Sequence, residues 1–305
     1  MAENVVPPWR VRGPRRSAPR AFVSPAVRRA ADAAGVDVAA LNGSGLDGRV
    51  TRGDVERAAA VTNATHATAP DAAARDEVVA LNPMQRRTAE HLVRSKQTAA
   101  HAFVAMEVDF ESLDRVRRAA GFTFLPFIAY AVVDAVHEFP WVNATVEGDE
   151  VVVRDAVHLG IAVDLEHQGL IVPVVRDAQD KRLRALARDL ADTARRARAK
   201  ALLPDDVVGG TFTITNPGPA GTAVSVPIIN QPQVAILSTD GVARRPVVVS
   251  GPGGRDVIDV RATGVLGLGF DHRAFDVRYA AAFLSRLREQ LESGDWEAEA
   301  GVLLQ

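Results

Sequence analysis

The chain contains no cysteine. That absence removes disulfides, thiolate nucleophiles and cysteine-ligated metals together. Lysine is scarce as well: only Lys96, Lys181 and Lys200 occur, so arginine carries almost all the positive charge. No apolar run approaches the roughly 18 residues needed to cross a bilayer. The Arg- and Pro-rich N-terminus lacks the apolar stretch of a secretory signal. Charge of one sign is also missing; the formal net charge is −2, which predicts no global attraction to nucleic acid or membrane. P-loop, dinucleotide fingerprint and internal repeat are absent too. A cytoplasmic protein is expected, without a metal.

What is present organises into four stretches. Residues 1–20 form a Pro/Arg-rich basic arm that reads as disordered. Residues 21–60 read as a small helical domain: Ser24-Pro25 supplies an N-cap and first-turn pair, Gly35 a stop, and Thr51-Arg52-Gly53-Asp54 a second start. A unit this small buries little, so binding is expected of it rather than catalysis. The Ala/Thr-rich stretch 61–77 reads as a flexible linker. The large domain follows, from 78 to 305. Helical spacing runs through 81–96, 124–139 and 182–201. Strand patterns fall at 103–108, 151–153, 159–163, 170–175, 211–215, 234–237, 247–249 and 265–270. The fold class is α+β, a mixed sheet with its helices on one side.

One local pattern carries chemistry. An apolar run, Val265 to Phe270, delivers His272 to a turn, and Asp276 follows four residues later at the start of a helical pattern. A base at the end of a buried strand is held in orientation, as general-base catalysis requires. Spacing alone leaves a second reading open, a half-buried turn histidine with Asp276 as helix N-cap.

Further motifs lie in line with it: Asn82-Pro83-Met84-Gln85-Arg86-Arg87, Ser95-Lys96-Gln97-Thr98 with His101, and Phe139-Pro140-Trp141-Val142-Asn143-Ala144. They continue through Gly160-Ile161-Ala162-Val163-Asp164, Gly169 to Val175, Gly209 to Asn216, Asn230 to Leu237 and Asp271 to Asp276. In this order they resemble the acyltransferase component of 2-oxo acid dehydrogenase complexes. Residues 24–60 resemble that family's peripheral-subunit-binding domain through Ser24 to Arg29 and Gly43 to Thr51.

The resemblance implies a chloramphenicol-acetyltransferase-like, two-layer fold that forms a homotrimer, and possible larger cages of trimers. Coenzyme A, as a thioester substrate, would meet its acceptor in a channel between subunits. By the same resemblance His272 is the general base, Thr215 the hydroxyl that donates to the tetrahedral oxyanion, and Asp276 an orienting acid acting through an ion pair. Arg94, Ser95 and Lys96 are candidates for the coenzyme A phosphates, or else a solvated helix end. His101 is open between packing and a substrate role. His66, His137, His158 and His167 lack partners at suggestive spacing.

Four departures shape the expected function. No lysine precedes the small unit, so no lipoyl domain and no covalently attached lipoyl group are expected. Val277 stands where the family has glycine. The loop after Thr215 carries Pro217 and Pro219 and lacks the large aromatic usual there. In the small domain Leu46-Asp47 replaces the usual Pro-Gly, placing an acid beside Arg49. These point to a stand-alone biosynthetic acyltransferase with a small-molecule or carrier-protein-bound hydroxyl or thiol acceptor, similar to homologues in natural-product pathways such as tetronate acetylation. Free dihydrolipoamide would then be a poor acceptor. The alternatives are the dihydrolipoamide acyltransferase core of a dehydrogenase complex, or a non-catalytic trimeric scaffold, against which intact His272, Thr215 and Asp276 argue. The small domain is expected to bind another protein if it binds anything.

Overall fold

Ser24 caps the first helix, its hydroxyl accepting from Val27 N at 3.3 Å, and Pro25 occupies the first turn. The helix, α1 (Pro25–Ala34), ends on Gly35, whose left-handed φ of 63° suits a residue without Cβ. The computed structural model describes residues 23–66, 78–165, 169–217 and 220–303; the chain divides into two units between Val79 and Ala80. The basic arm expected at 1–20 lies outside the described residues, as does 67–77. Helix α2 (Arg52–His66) carries on past residue 60, where the linker was expected to begin.

The small unit has a core of only Val27, Ala31, Val50 and Val55, edged by Val23, Ala30, Val38 and Leu41. Asp54 does the rest. Buried at 7% exposure, its carboxylate accepts from Ser44 N (3.0 Å), Ser44 Oγ (2.7 Å), Thr51 N (2.9 Å) and Thr51 Oγ1 (2.9 Å), and pairs with Arg57. These donors, the Ser44 and Thr51 backbone N–H groups foremost, hold its pKa far below the usual carboxylate value. A depressed folded-state pKa contributes stability above the unfolded value of about 4 and loses it as pH falls. The small unit is therefore expected to loosen on acidification. Asp54→Asn should lower its melting temperature at pH 7 and flatten its pH dependence, as read by hydrogen exchange over residues 23–57.

The large unit is built on a seven-stranded mixed sheet. Its strands are β1 (His101–Asp109), β4 (Leu159–Ile161), β7 (Val174–Val175), β8 (Phe212–Thr215), β9 (Ala235–Thr239), β10 (Ala243–Ser250) and β11 (Asp256–Asp271). The order is β1-β11-β9-β8-β4-β7, parallel at β4/β8 and β8/β9 and antiparallel elsewhere. β10 pairs with the first half of β11, Ser250↔Asp256 to Ala243↔Thr263. Two ribbons lie off the sheet: β2 (Ala144–Glu147) with β3 (Glu150–Val153), and β5 (Val163–Asp164) with β6 (Leu170–Ile171). The strands expected at 159–163 and 170–175 are each split, the second around Pro173, which has no N–H for a ladder.

Helices α4 (Glu111–Ala120), α5 (Leu125–Glu138), α6 (Leu183–Arg198), α7 (Val277–Ser293) and α8 (Trp296–Ala300) all contribute to one core with Phe212, Ile214, Leu237, Leu266, Leu268 and Phe270. Strand alternation puts the intervening residues, Thr213, Thr215, Ile236, Ser238, Gly267 and Gly269, on the opposite face. There α3 (Pro83–Thr98), capped by a reciprocal Asn82/Gln85 box, seals a second cluster of Ala99, Ile229 and Ile236. The expectation of helices on one side alone is thus corrected: α3 covers part of the far face. That face is thin. A Cβ on Gly267 would stand 2.7 Å from the Phe103 ring. Among the described residues no single helix is long and apolar enough to cross a membrane.

Candidate active site

His272 sits on the turn that ends β11, and the turn is clamped. Asp271, 1% exposed, accepts from Arg273 N (3.1 Å), Arg273 Nε (3.0 Å), Arg273 Nη2 (2.6 Å) and Ala100 N (3.1 Å). Burial pushes its carboxyl up, but these donors outweigh burial and hold it below the usual range. His272 N donates to Ala100 O at 2.9 Å, and Phe270 stacks on Phe275 with ring centroids 5.0 Å apart. The backbone is fixed while the imidazole stays exposed, with no hydrogen-bond partner among the described residues.

Asp276 accepts from Tyr279 N at 2.9 Å and caps α7. The orienting ion pair expected of it is made instead by Asp271 and Arg273, two residues that the spacing argument passed over. Val277 opens α7 directly after an extended Asp276 (φ −93°), so no positive φ is asked of it.

Thr215 ends β8 and lines a cavity of about 600 Å³ on the far face of the sheet. Its hydroxyl has no partner among the described residues. Leu92, Val172, Pro227 and Ile236 give the cavity its apolar walls; Arg87, His91, Thr213 and Asn230 supply polar groups. Arg87 and His91 are four apart and share a face of α3, the one local signal that could have marked them. Farther along that helix, Ser95 is wholly buried and its Oγ donates to Ile229 O at 2.6 Å. It therefore ties α3 to a loop and does not reach phosphates, which corrects that expectation. Arg94 is exposed. His101 is structural: Nδ1 lies 3.1 Å from Ala99 O and Nε2 accepts from Ile229 N at 3.1 Å. His137 and His158 likewise engage backbone, at Val133 O and Asp177 N; His167 lies outside the described residues.

The loop after Thr215 is stapled by Asp240, 4% exposed, which accepts from Thr222 Oγ1 (2.7 Å), Ser225 N (3.1 Å) and Ser225 Oγ (3.3 Å). Pro219 lies outside the described residues. Among those residues no group of three His, Asp or Glu is arranged to hold a metal ion.

Within one chain His272 and Thr215 are far apart. Thr215 is level with Ser238 and Ser238 with Gly267. His272 lies about 16 Å farther along β11, with about 10 Å more for two strand spacings. Thr215 also faces away from the core that Phe270 enters. A reaction using both residues needs two copies of the chain.

Comparisons with known proteins place the chain in a family. Residues 73–297 match the family model for the 2-oxoacid dehydrogenases acyltransferase catalytic domain, and residues 21–56 the E3-binding domain. The dihydrolipoyllysine-residue acetyltransferase component of the pyruvate dehydrogenase complex of Mycobacterium bovis is 37% identical over 92% of this chain; the match spans 56% of that protein. The lipoamide acyltransferase component of the branched-chain alpha-keto acid dehydrogenase complex of Bacillus subtilis is 33% identical over 89% of this chain and 71% of its own length. The solved structure of Azotobacter vinelandii dihydrolipoamide acetyltransferase superposes with TM-score 0.67 at 29% identity, covering 76% of this chain and 98% of that one. That work concerned a serine, a histidine and an asparagine, the last four residues beyond the histidine, in its catalytic mechanism. The chain spans little more than half of the first of these relatives.

These relatives overturn the expectation of a biosynthetic acyltransferase and favour the alternative, the acyltransferase core of a 2-oxo acid dehydrogenase complex. The expectation leaned on the Pro217 loop, yet Thr215, just before it, still ends β8 and lines the cavity. The chain belongs to the 2-oxoacid dehydrogenase acyltransferase family.

Proposed function

We propose that the chain is an acyltransferase core of a 2-oxo acid dehydrogenase complex, exchanging an acyl group between coenzyme A and a dihydrolipoyl thiol. His272 of one copy removes the thiol proton as the sulfur attacks the thioester carbonyl. Thr215 of a second copy donates its hydroxyl to the oxyanion. Collapse of the tetrahedral adduct expels the other sulfur, which recovers the proton from the imidazolium. The observation that carries this reading is a free imidazole on a turn rigidified by Asp271 and Arg273, in a chain that matches the family's catalytic domain along most of its length. The four-residue spacing of His272 and Asp276 parallels the histidine and asparagine studied in the Azotobacter enzyme.

Assembly follows from the same chemistry: at least two copies complete each site, and a trimer closes the arrangement by symmetry. The small unit, with Arg28, Arg29, Arg49, Arg52 and Arg57 all exposed, suits an acidic surface on a partner enzyme. The direct test is kcat/KM with dihydrolipoamide and a panel of acetyl, branched-chain and succinyl coenzyme A. A value near ~10⁴ M⁻¹s⁻¹ is expected for at least one acyl group. Transfer below about 10² M⁻¹s⁻¹ for every one would remove the acceptor assignment.

A further inference from the structure

We infer that His91 reads the ligand in the Thr215 cavity, its Nδ1 accepting the amide N–H of a pantetheine arm that lies nearest the thioester. The inference rests on the acyl coenzyme A reading above. It starts from a chain of hydrogen bonds that runs in one direction. Thr213, with no exposed surface, gives its single hydroxyl proton to Gln233 Oε1 at 2.6 Å. Its oxygen is then an acceptor only, so the Asn230 atom 3.2 Å away is the amide nitrogen, Nδ2. Asn230 therefore turns Oδ1 toward His91, 3.0 Å from Nε2. A carbonyl oxygen can only accept, so Nε2 carries the proton.

In a neutral ring with Nε2 protonated, Nδ1 is a bare acceptor. It has no partner among the described residues, yet His91 lines the cavity and is half-buried. Three side chains, Gln233, Thr213 and Asn230, thus fix which nitrogen is bare. A ligand that fills the cavity takes water away from Nδ1, and an acceptor left unpaired in that way is costly, so the site favours a ligand that brings an N–H or O–H donor there. It disfavours a carboxylate, whose lone pairs would meet that of Nδ1. Pantetheine fits the remaining walls: methylenes for Leu92, Val172 and Ile236, with isolated amide donors.

The test uses the full-length chain and two probes: acetyl-pantetheine, and its analogue with ester oxygen in place of the amide N–H nearest the thioester. Calorimetry on the wild type should show roughly tenfold tighter binding of the amide. His91→Phe should bring that preference within about twofold, while His91→Gln should retain most of it, because its amide can donate to Asn230 and still accept from the ligand. Unchanged circular dichroism checks folding of each variant. Equal preference in wild type and His91→Phe, no preference in the wild type, or no binding of acetyl-pantetheine would each overturn the inference. Acetyl transfer to dihydrolipoamide, measured on the same wild-type sample, reports on the acyltransfer reading separately; failed transfer with the amide preference intact strikes that reading alone.

Discussion

His272→Ala is expected to lower kcat by at least ~10²-fold while the chain folds and assembles normally. The structure gives reasons for both halves. The turn is held by backbone and by its neighbours: His272 N on Ala100 O, and the Asp271 carboxylate on Arg273 and Ala100. None of these bonds uses the imidazole. Its ring lies against Phe270, at a centroid distance of 5.8 Å, and the residue is exposed, so truncation opens no core cavity. KM for both substrates should move little, because the lost group acts on a proton in flight. Wild-type turnover of acyl coenzyme A with dihydrolipoamide by the His272→Ala chain would sink the assignment.

The second prediction turns on geometry. Thr215→Val keeps β-branching and volume but deletes the only hydroxyl hydrogen, and should cost about 2–4 kcal/mol in transition-state stabilisation, chiefly in kcat. Thr215→Ser should be tolerated. Because His272 and Thr215 lie at different ends and on different faces of the sheet, each site draws them from different copies. Co-assembly of His272→Ala chains with Thr215→Val chains should therefore rebuild intact sites. With equal, random mixing about a quarter of the sites receive both residues, one half times one half. Activity of the mixture well above either parent is the expected result. A mixture no more active than its parents, with mixed assemblies verified by mass, would mean that both residues serve one chain's site.

Much of the fold was legible because it is written in local patterns. Ser24, Asn82 and Asp276 are short polar caps before apolar periodicity, and α5 (Leu125 to Val133) and the second half of β11 (Val265 to Phe270) announce themselves by apolar runs, whereas the first half of β11, with Asp259 and Arg261, does not. What was hidden depends on residues distant in sequence. β3 reads like the other Val-rich strands, yet it pairs only with β2, away from the main sheet. Ser95 resembles a helix-end phosphate ligand until Ile229 arrives from elsewhere to accept its proton. His91 carries no local mark beyond its spacing from Arg87, since Asn230 and Thr213 find it only through the fold. The expected function had a different origin: it rested on the absence of a lipoyl lysine before the small unit, on the Pro217/Pro219 loop and on Val277, all outside the reacting groups.

The dipeptide at the entry to β1 has a position that matters to more than one site. Ala100 binds the base turn through both its N–H and its carbonyl, while His101 Nε2 holds the Ile229 amide beside Asn230. In the assembly proposed above, the turn would serve one active site and the Asn230 loop another, each chain offering its imidazole to one neighbour and its cavity to a different one. Ala100 and His101 would then be a splice between adjacent catalytic centres, a path of two residues from one cavity to the base of the next.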